Sequence, residues 1–131
     1  MNTPANPNPD RPTLVISIDE VLSHAYRLVE KLPRRETSRS VMIYGIPRGG
    51  VPAALALWGA THGRPRIIVL DLKDIDLADC FVDDVWDTGK TEAEYKARYP
   101  RVPFLTLFDK RDPEFAGKWL IFPWEKGRDD D

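Results

Sequence analysis

The sequence has one cysteine, no long apolar run and no excess of either charge. Cys80 cannot form an internal disulfide or a cysteine-based zinc site, so we expect a reducing, cytoplasmic environment. No apolar run reaches the ~20 residues of a membrane span, and the N-terminus lacks the apolar region of a signal peptide. With 19 Lys and Arg against 21 Asp and Glu, the chain lacks the excess positive charge of an electrostatic nucleic-acid binder. We therefore expect neither a nucleic acid nor a membrane as partner.

The composition indicates one ordinary globular domain. The 131 residues are 42% hydrophobic and 10% aromatic, which is enough to bury a core. Alternating proline and asparagine predict a disordered tail over residues 1–12, and glycine with three like charges predicts a frayed acidic tail over residues 127–131. We expect a single domain over residues 13–126.

Helical and strand patterns alternate between the two tails. A capping box of Ser17 and Glu20 begins an amphipathic helix over residues 17–32, which Pro33 ends. Further helices are predicted at 51–61 and 92–99, and apolar strands at 40–46, 66–72, 80–82, 104–108 and 118–124. This alternation predicts an α/β fold with a doubly wound, mainly parallel sheet and flanking helices. Ligands bind at the carboxyl ends of the strands in such sheets.

The segment from Asp83 to Thr91 carries the strongest chemical signal. Two carboxylates, Asp83 and Asp84, follow an apolar strand, and then small and hydroxyl residues open a helix. Free amides, hydroxyls and Lys90 at a helix N-terminus suit one phosphate, while the acid pair suits a diol or a divalent cation. A sugar phosphate with vicinal hydroxyls satisfies every group. We reject a P-loop, because the first glycine of that motif would fall on Asp84.

A second candidate anion site lies in residues 45–52. Gly49 and Gly50 permit a close approach of the backbone, and Arg48 offers a planar fork to phosphate oxygens. By itself this pattern is equally consistent with a simple turn between a strand and a helix. Its position next to the first motif in the predicted topology favours a binding role.

Residues 80–91 resemble the phosphoribosyl-pyrophosphate (PRPP) signature of type I phosphoribosyltransferases, and residues 45–50 resemble the pyrophosphate loop of that family. Residues 104–110 and 118–125 are similar to the end of the small xanthine-guanine and hypoxanthine phosphoribosyltransferases. The likeness covers about residues 13–126. It implies an enzyme of purine salvage that transfers 5-phosphoribose from PRPP to guanine, xanthine or hypoxanthine, releases pyrophosphate and uses Mg²⁺.

The resemblance also implies a role for each site residue. The ribose hydroxyls are held, directly or through Mg²⁺, by Asp83 and Asp84, and the proton of the purine is accepted by the catalytic residue, Asp87. The 5-phosphate binds to Thr88, Gly89, Lys90 and Thr91, and pyrophosphate binds to Arg48 and the Gly49 amide, after a Pro47–Arg48 peptide that is often cis in the family. The base meets Lys110 at its 6-oxo group, Trp119 as a stacking ring and the Leu120 backbone at its edge. Without the resemblance, Lys110 suggests a solvated charge and Trp119 suggests packing.

The chain departs from the family pattern in one place. The enzymes carry a long mobile loop that closes over the substrates and excludes water, whereas only residues 72–79 stand there in this chain and the hood is reduced. A PRPP- or nucleotide-binding regulatory module with little or no transferase activity therefore stays open as an alternative, and hydrolysis of a nucleotide to its base is a third hypothesis. An uncovered apolar edge strand predicts a homodimer or a higher homo-oligomer.

Overall fold

The computed structural model describes residue 6 and residues 10–33 and 40–125. These ranges contain six strands: Thr13–Val15 (β1), Ser40–Gly45 (β2), Arg66–Val69 (β3), Cys80–Trp86 (β4), Phe104–Asp109 (β5) and Trp119–Ile121 (β6). They also contain the α-helices Ile18–Val29 (α1), Gly50–Thr61 (α2) and Lys90–Arg98 (α3), and a 3-10 helix at Leu72–Leu77. None of these helices is long and apolar enough to cross a membrane.

The strands form two parallel sheets. The larger has the order β3-β2-β4-β5, and the smaller pairs β1 with β6. The predicted α/β fold with parallel strands and flanking helices is confirmed. The final strand differs from the prediction, because it ends at Ile121, before Pro123, and lies outside the larger sheet. Its partner is β1, a three-residue strand that is too short to show a periodic pattern in the sequence.

Residues that alternate along β4 pack on opposite faces of the larger sheet. Cys80 and Val82 belong to a core that includes residues of α1 and α2. Phe81 lies on the other face, where the rings of Tyr95 on α3 and of Tyr99, its C-cap, meet it edge-on at centroid distances of 5.1 and 5.3 Å. The helices therefore cover both faces of the sheet, which is the layering of a doubly wound fold.

The predicted capping box begins α1. The Glu20 amide donates to Ser17 Oγ at 3.1 Å, and the Ser17 amide donates to Glu20 Oε1 at 3.1 Å. Two of the unpaired amides at the start of the helix are thereby satisfied. The helix ends at Val29, three residues earlier than predicted and ahead of Pro33.

The carboxyl ends of three strands meet at one edge of the larger sheet. Gly45 at the end of β2 lies beside Val82 of β4, and Trp86 at the end of β4 lies beside Asp109 of β5. The predicted site residues lie in the segments that follow these three strands, except for Asp83 and Asp84 near the end of β4 and Trp119 and Leu120 on β6.

The predicted tails lie mostly outside the described residues. This holds for residues 127–131 and for all of residues 1–12 except 6 and 10–12. In the described part, the Trp119 amide donates to the Pro12 carbonyl at 2.8 Å, and the Ile16 amide donates to the Ile121 carbonyl at 2.8 Å. The chain is therefore attached to β6 from Pro12 onward.

Candidate functional site

The acid pair lies within β4. The sequence predicted that the strand ends at Val82, but the ladder with β5 continues through Asp83 to Trp86. The Asp84 amide donates to Asp83 Oδ1 at 2.9 Å, and the Val85 amide donates to Asp84 Oδ1 at 2.7 Å. The backbone thus holds both carboxylates close to the end of the strand.

Burial makes these two carboxyl groups unusual. Loss of solvation raises the pKa of Asp83 above its ordinary value. Burial, and then the neighbouring charge of Asp83, raise the pKa of Asp84 to about 7. Two adjacent carboxylates with raised pKa values are stabilised by a bound cation or by hydroxyl donors. The chemistry of the pair therefore suits a diol or a divalent ion.

The loop at residues 45–52, called the arginine loop after Arg48, packs directly on the acid pair of Asp83 and Asp84. The Pro47–Arg48 peptide is cis, as the resemblance implies. A Cβ atom at Gly49 would overlap the Asp84 carboxylate, and one at Gly50 would lie 2.5 Å from the Val82 carbonyl oxygen. Two glycines are needed here because the backbone of the loop touches β4 with no room for side chains. The two motifs that the sequence identified separately thus form one continuous surface.

The hydroxyl-rich segment begins α3 as predicted. Gly89 is the N-cap of the helix and has a φ of 86°, a conformation that glycine adopts without strain. A Cβ atom there would also lie 2.6 Å from the Trp86 ring. The Lys90 amide donates to Thr88 Oγ1 at 3.3 Å. A small cavity of about 50 Å³ opens beside this turn, and its lining includes Asp83, Asp87, Thr88, Gly89, Lys90 and Thr91.

Lys110 is nearly buried and points to Asp87. Its side chain is 9% exposed against 52% for Asp87, and its Nζ lies 3.4 Å from Asp87 Oδ2. The Lys110 amide donates to the Trp86 carbonyl at 2.9 Å. This bond places the lysine next to residues 87–91, where the sequence predicts a phosphate site. The interpretation of Lys110 as a solvated charge is therefore wrong.

Trp119 lies close to the same lysine. Lys110 Nζ is 5.8 Å from the centre of the Trp119 ring, and Leu120, the next residue of β6, is buried. The structure thus places Lys110 next to both Asp87 and Trp119. Trp124, the other tryptophan of the final segment, instead stacks on Phe122 at a centroid distance of 4.9 Å.

Three residues near the site were missed by the sequence analysis. Glu92 accepts a hydrogen bond from Trp86 Nε1 at 2.9 Å, and the Arg111 guanidinium lies 3.8 Å from the centre of the Trp86 ring. Both hold the ring that supports the Gly89 turn. Arg11 lies against Trp119. Glu92 and Arg111 stand close to the motifs in sequence, but Arg11 belongs to a proline-rich segment that carries no pattern pointing to a site.

The short connection between β3 and β4 is attached to the sheet. Met42 and Asp79 exchange two hydrogen bonds, because the Asp79 amide donates to the Met42 carbonyl at 2.7 Å and the Met42 amide donates to Asp79 Oδ2 at 2.8 Å. Ile75 of the 3-10 helix packs against the cluster around Phe81. This segment is therefore packed against the sheet as part of the folded layer.

No protein-family model matches the chain. The functional argument therefore rests on the residues and on the geometry just described.

Proposed function

We propose that the protein transfers 5-phosphoribose from PRPP to a 6-oxopurine base and releases pyrophosphate. The observation that carries the proposal is the contact of the arginine loop with the acid pair, at Gly49 and Asp84, beside a helix N-terminus rich in hydroxyl groups. A ligand with a phosphate, a diol and a second phosphate group matches these three neighbouring surfaces. PRPP has this combination.

The sugar side of the ligand is assigned to β4 and α3. Asp83 and Asp84 accept hydrogen bonds from the ribose hydroxyls. The 5-phosphate lies at the start of α3, where amide groups and the side chains of Thr88, Lys90 and Thr91 supply donors. Gly89 is the N-cap of α3 with no side-chain cap hydrogen bond, so amides in the first turn of the helix remain available to a phosphate.

The donor set of the acid pair fits Mg²⁺. Magnesium typically takes one or two protein carboxylates and completes its shell with water and substrate oxygens. Residues 10–33 and 40–125 contain no cluster of three or more metal-ligating side chains, so a site in them would be of this open kind. Asp83 and Asp84 would hold the ion together with ligand oxygens. When bound, the ion neutralises negative charge on the pyrophosphate group. Arg48 and the Gly49 amide also bind that group.

The base is assigned to the side chains of Asp87, Lys110 and Trp119. Lys110 donates to the 6-oxo group, Trp119 stacks on the purine ring, and the Leu120 backbone meets the base edge. In the transfer, a bond forms between the purine nitrogen and C1 of the ribose, with inversion, and the bond from C1 to the pyrophosphate oxygen breaks. Asp87 accepts the proton that the purine nitrogen loses.

One observation favours a second candidate function. The connection between β3 and β4 is short and its last residue, Asp79, is fixed to Met42, whereas a long closing loop would help to exclude water during glycosyl transfer. A PRPP- or nucleotide-binding regulatory module with little transferase activity would need the phosphate surfaces without a cover. The base-side pair of Asp87 and Lys110 favours the enzyme, because a sensor of phosphate alone has no use for it.

The deciding experiment is a turnover assay with PRPP, Mg²⁺ and each of guanine, xanthine, hypoxanthine and adenine. We expect turnover with at least one 6-oxopurine, none with adenine, and a loss of at least about 100-fold in kcat in Asp87→Ala, the usual scale of general base catalysis. Asp76→Ala is the matched control, since Asp76 is an exposed aspartate of the 3-10 helix. Binding of PRPP without turnover would assign the protein to the module class, and absence of both would refute the proposal.

The proposal places the protein in purine salvage as a cytoplasmic homo-oligomer. Exposed apolar side chains on α1 and α2, Leu22, Tyr26, Leu55 and Trp58, support self-association. Sedimentation equilibrium of the purified protein tests the oligomer, and a monomer at micromolar concentration would contradict it.

A further inference from the structure

Arg11 lies against the ring proposed to stack on the base. Its guanidinium carbon is 5.0 Å from the centre of the Trp119 ring, on which Lys110 also converges at 5.8 Å. The backbone fixes this position, because the Trp119 amide donates to the Pro12 carbonyl and the Asn6 side-chain amide donates to the Arg11 carbonyl at 2.6 Å. The pairing of β1 with β6 thus supplies the site with a second cationic side chain.

The hydrogen bonding of Arg11 is incomplete. Its Nε is a buried donor with no acceptor among the residues that the structure describes. Arg111 provides a contrast, since its guanidinium donates to Asp109 at 2.7, 2.9 and 3.1 Å. Buried donors are nearly always paired in folded proteins, so an unpaired one beside the ring proposed to stack on the base favours an acceptor on the ligand.

We propose that Arg11 selects xanthine, a purine with oxo groups at both C2 and C6, over hypoxanthine and guanine. The inference rests on the proposed function, in which Lys110 binds the 6-oxo group. A second cationic donor at the same ring requires a second acceptor, and xanthine presents one at C2. Hypoxanthine has only a hydrogen at C2. Guanine has an amino group there, which is itself a donor and cannot accept a hydrogen bond from Arg11. Xanthine also ionises most readily of the three, and its negative charge favours two flanking cations.

The test is the specificity of Arg11→Gln in the transfer assay with PRPP and Mg²⁺. Glutamine keeps a long side chain and an amide donor but removes the charge. We expect wild type to prefer xanthine, and kcat/KM for xanthine relative to hypoxanthine to fall about 10-fold or more in the variant, the effect of losing a hydrogen bond from a charged donor. Arg98→Gln is the matched control, because Arg98 is an exposed arginine with a similar ring contact, 5.8 Å from the centre of Tyr99 on the other face of the sheet. Its specificity ratio should equal that of wild type.

Several results would overturn the assignment. The first is a wild-type preference for guanine or hypoxanthine. The second is an equal loss of kcat/KM for all three bases in Arg11→Gln, and the third is an Arg11→Gln variant with the kcat/KM values of wild type. A gain for all three bases would show that Arg11 occupies the stacking position itself, which also refutes a role in selection. Urea unfolding of both variants separates these results from a loss of folding.

Failure of the proposed function gives a different result. If wild type transfers phosphoribose to no base, calorimetric titration with xanthosine and inosine monophosphates tests Arg11 without catalysis. Tighter binding of the xanthosine nucleotide that Arg11→Gln removes would support the inference for a binding module. Equal affinities of wild type for the two nucleotides would overturn it.

Discussion

The contact between Gly49 and Asp84 makes a sharp prediction for Gly49→Ala. The added methyl group would overlap the Asp84 carboxylate, which the Val85 amide holds at 2.7 Å. Either that hydrogen bond breaks or the arginine loop moves away from β4. The backbone itself tolerates alanine, because Gly49 has a φ of -65°. The substitution therefore isolates the steric contact between the two motifs.

The expected effect is the difference of two terms. Replacing glycine with alanine at a compatible φ stabilises a protein by about 0.4–1 kcal/mol, because the unfolded chain loses freedom. Inserting a methyl group into a filled space costs about 1–3 kcal/mol. We expect a net loss of up to about 2.6 kcal/mol in the free energy of unfolding. Gly59→Ala in the same helix is the matched control, since a Cβ atom there meets nothing within 4 Å, and it should stabilise by about 0.5–1 kcal/mol.

Urea unfolding measures both variants, and calorimetric titration with PRPP and Mg²⁺ measures the functional consequence. Displacement of one charged hydrogen-bonding group should weaken PRPP binding by about 10-fold or more in Gly49→Ala. Gly59→Ala should bind as wild type does. Wild-type stability together with wild-type affinity in Gly49→Ala would refute the packing of the loop on the acid pair, and with it the main support for the proposed function.

Three further predictions follow from the same site. The folded-state pKa of Asp84, about 7, exceeds the ordinary 3.8, so stability from the protonated carboxyl is fully present below pH 3.8 and is lost as the pH rises through about 7. Asp84→Asn should therefore withstand more urea than wild type at pH 8, and an equal or lower midpoint would contradict the burial argument. Gly89→Ala, with its positive φ and the Trp86 ring 2.6 Å from the new atom, should lose about 1–3 kcal/mol of stability and most of its affinity for PRPP, and urea unfolding with calorimetry checks this. Burial raises the pKa of the Cys80 thiol to about 12, so thiol reagents at pH 8 should label it only after unfolding, and rapid labelling of the native protein would show that β4 opens.

Local signals were sufficient for much of the fold. The capping box of Ser17 and Glu20 needs only neighbouring residues, and the alternation of apolar strands with helices fixes the parallel arrangement through chain connectivity. The sequence predicted that β4 ends at Val82, whereas the strand continues to Trp86 because its pairing with β5 extends it. Asp83 and Asp84 have low strand propensity, but β5 runs alongside them and continues the ladder.

The parts of the site that could not be predicted from the sequence depend on contacts between residues far apart in the chain. β1 and β6 pair although more than 100 residues separate them, and each is three residues long. Arg11 reaches Trp119 only through this pairing, so no local pattern identifies it. The contact between Gly49 and Asp84 has the same origin: topology predicts that the two motifs are neighbours, but only coordinates show that they touch.

Binding and catalysis place different demands on this site. The surfaces proposed for the phosphates and the diol lie at strand ends and helix starts, that is, on the framework of the fold. Transfer also needs water to be excluded, and the connection from β3 to β4 is short and is held at its end by the two hydrogen bonds between Met42 and Asp79. Affinity for PRPP should therefore be insensitive to substitutions at Asp79, because the binding surfaces do not depend on that segment. If substitutions at Asp79 also leave turnover unchanged, another segment must exclude water from the site. A second copy of the chain is then the first candidate to supply that segment.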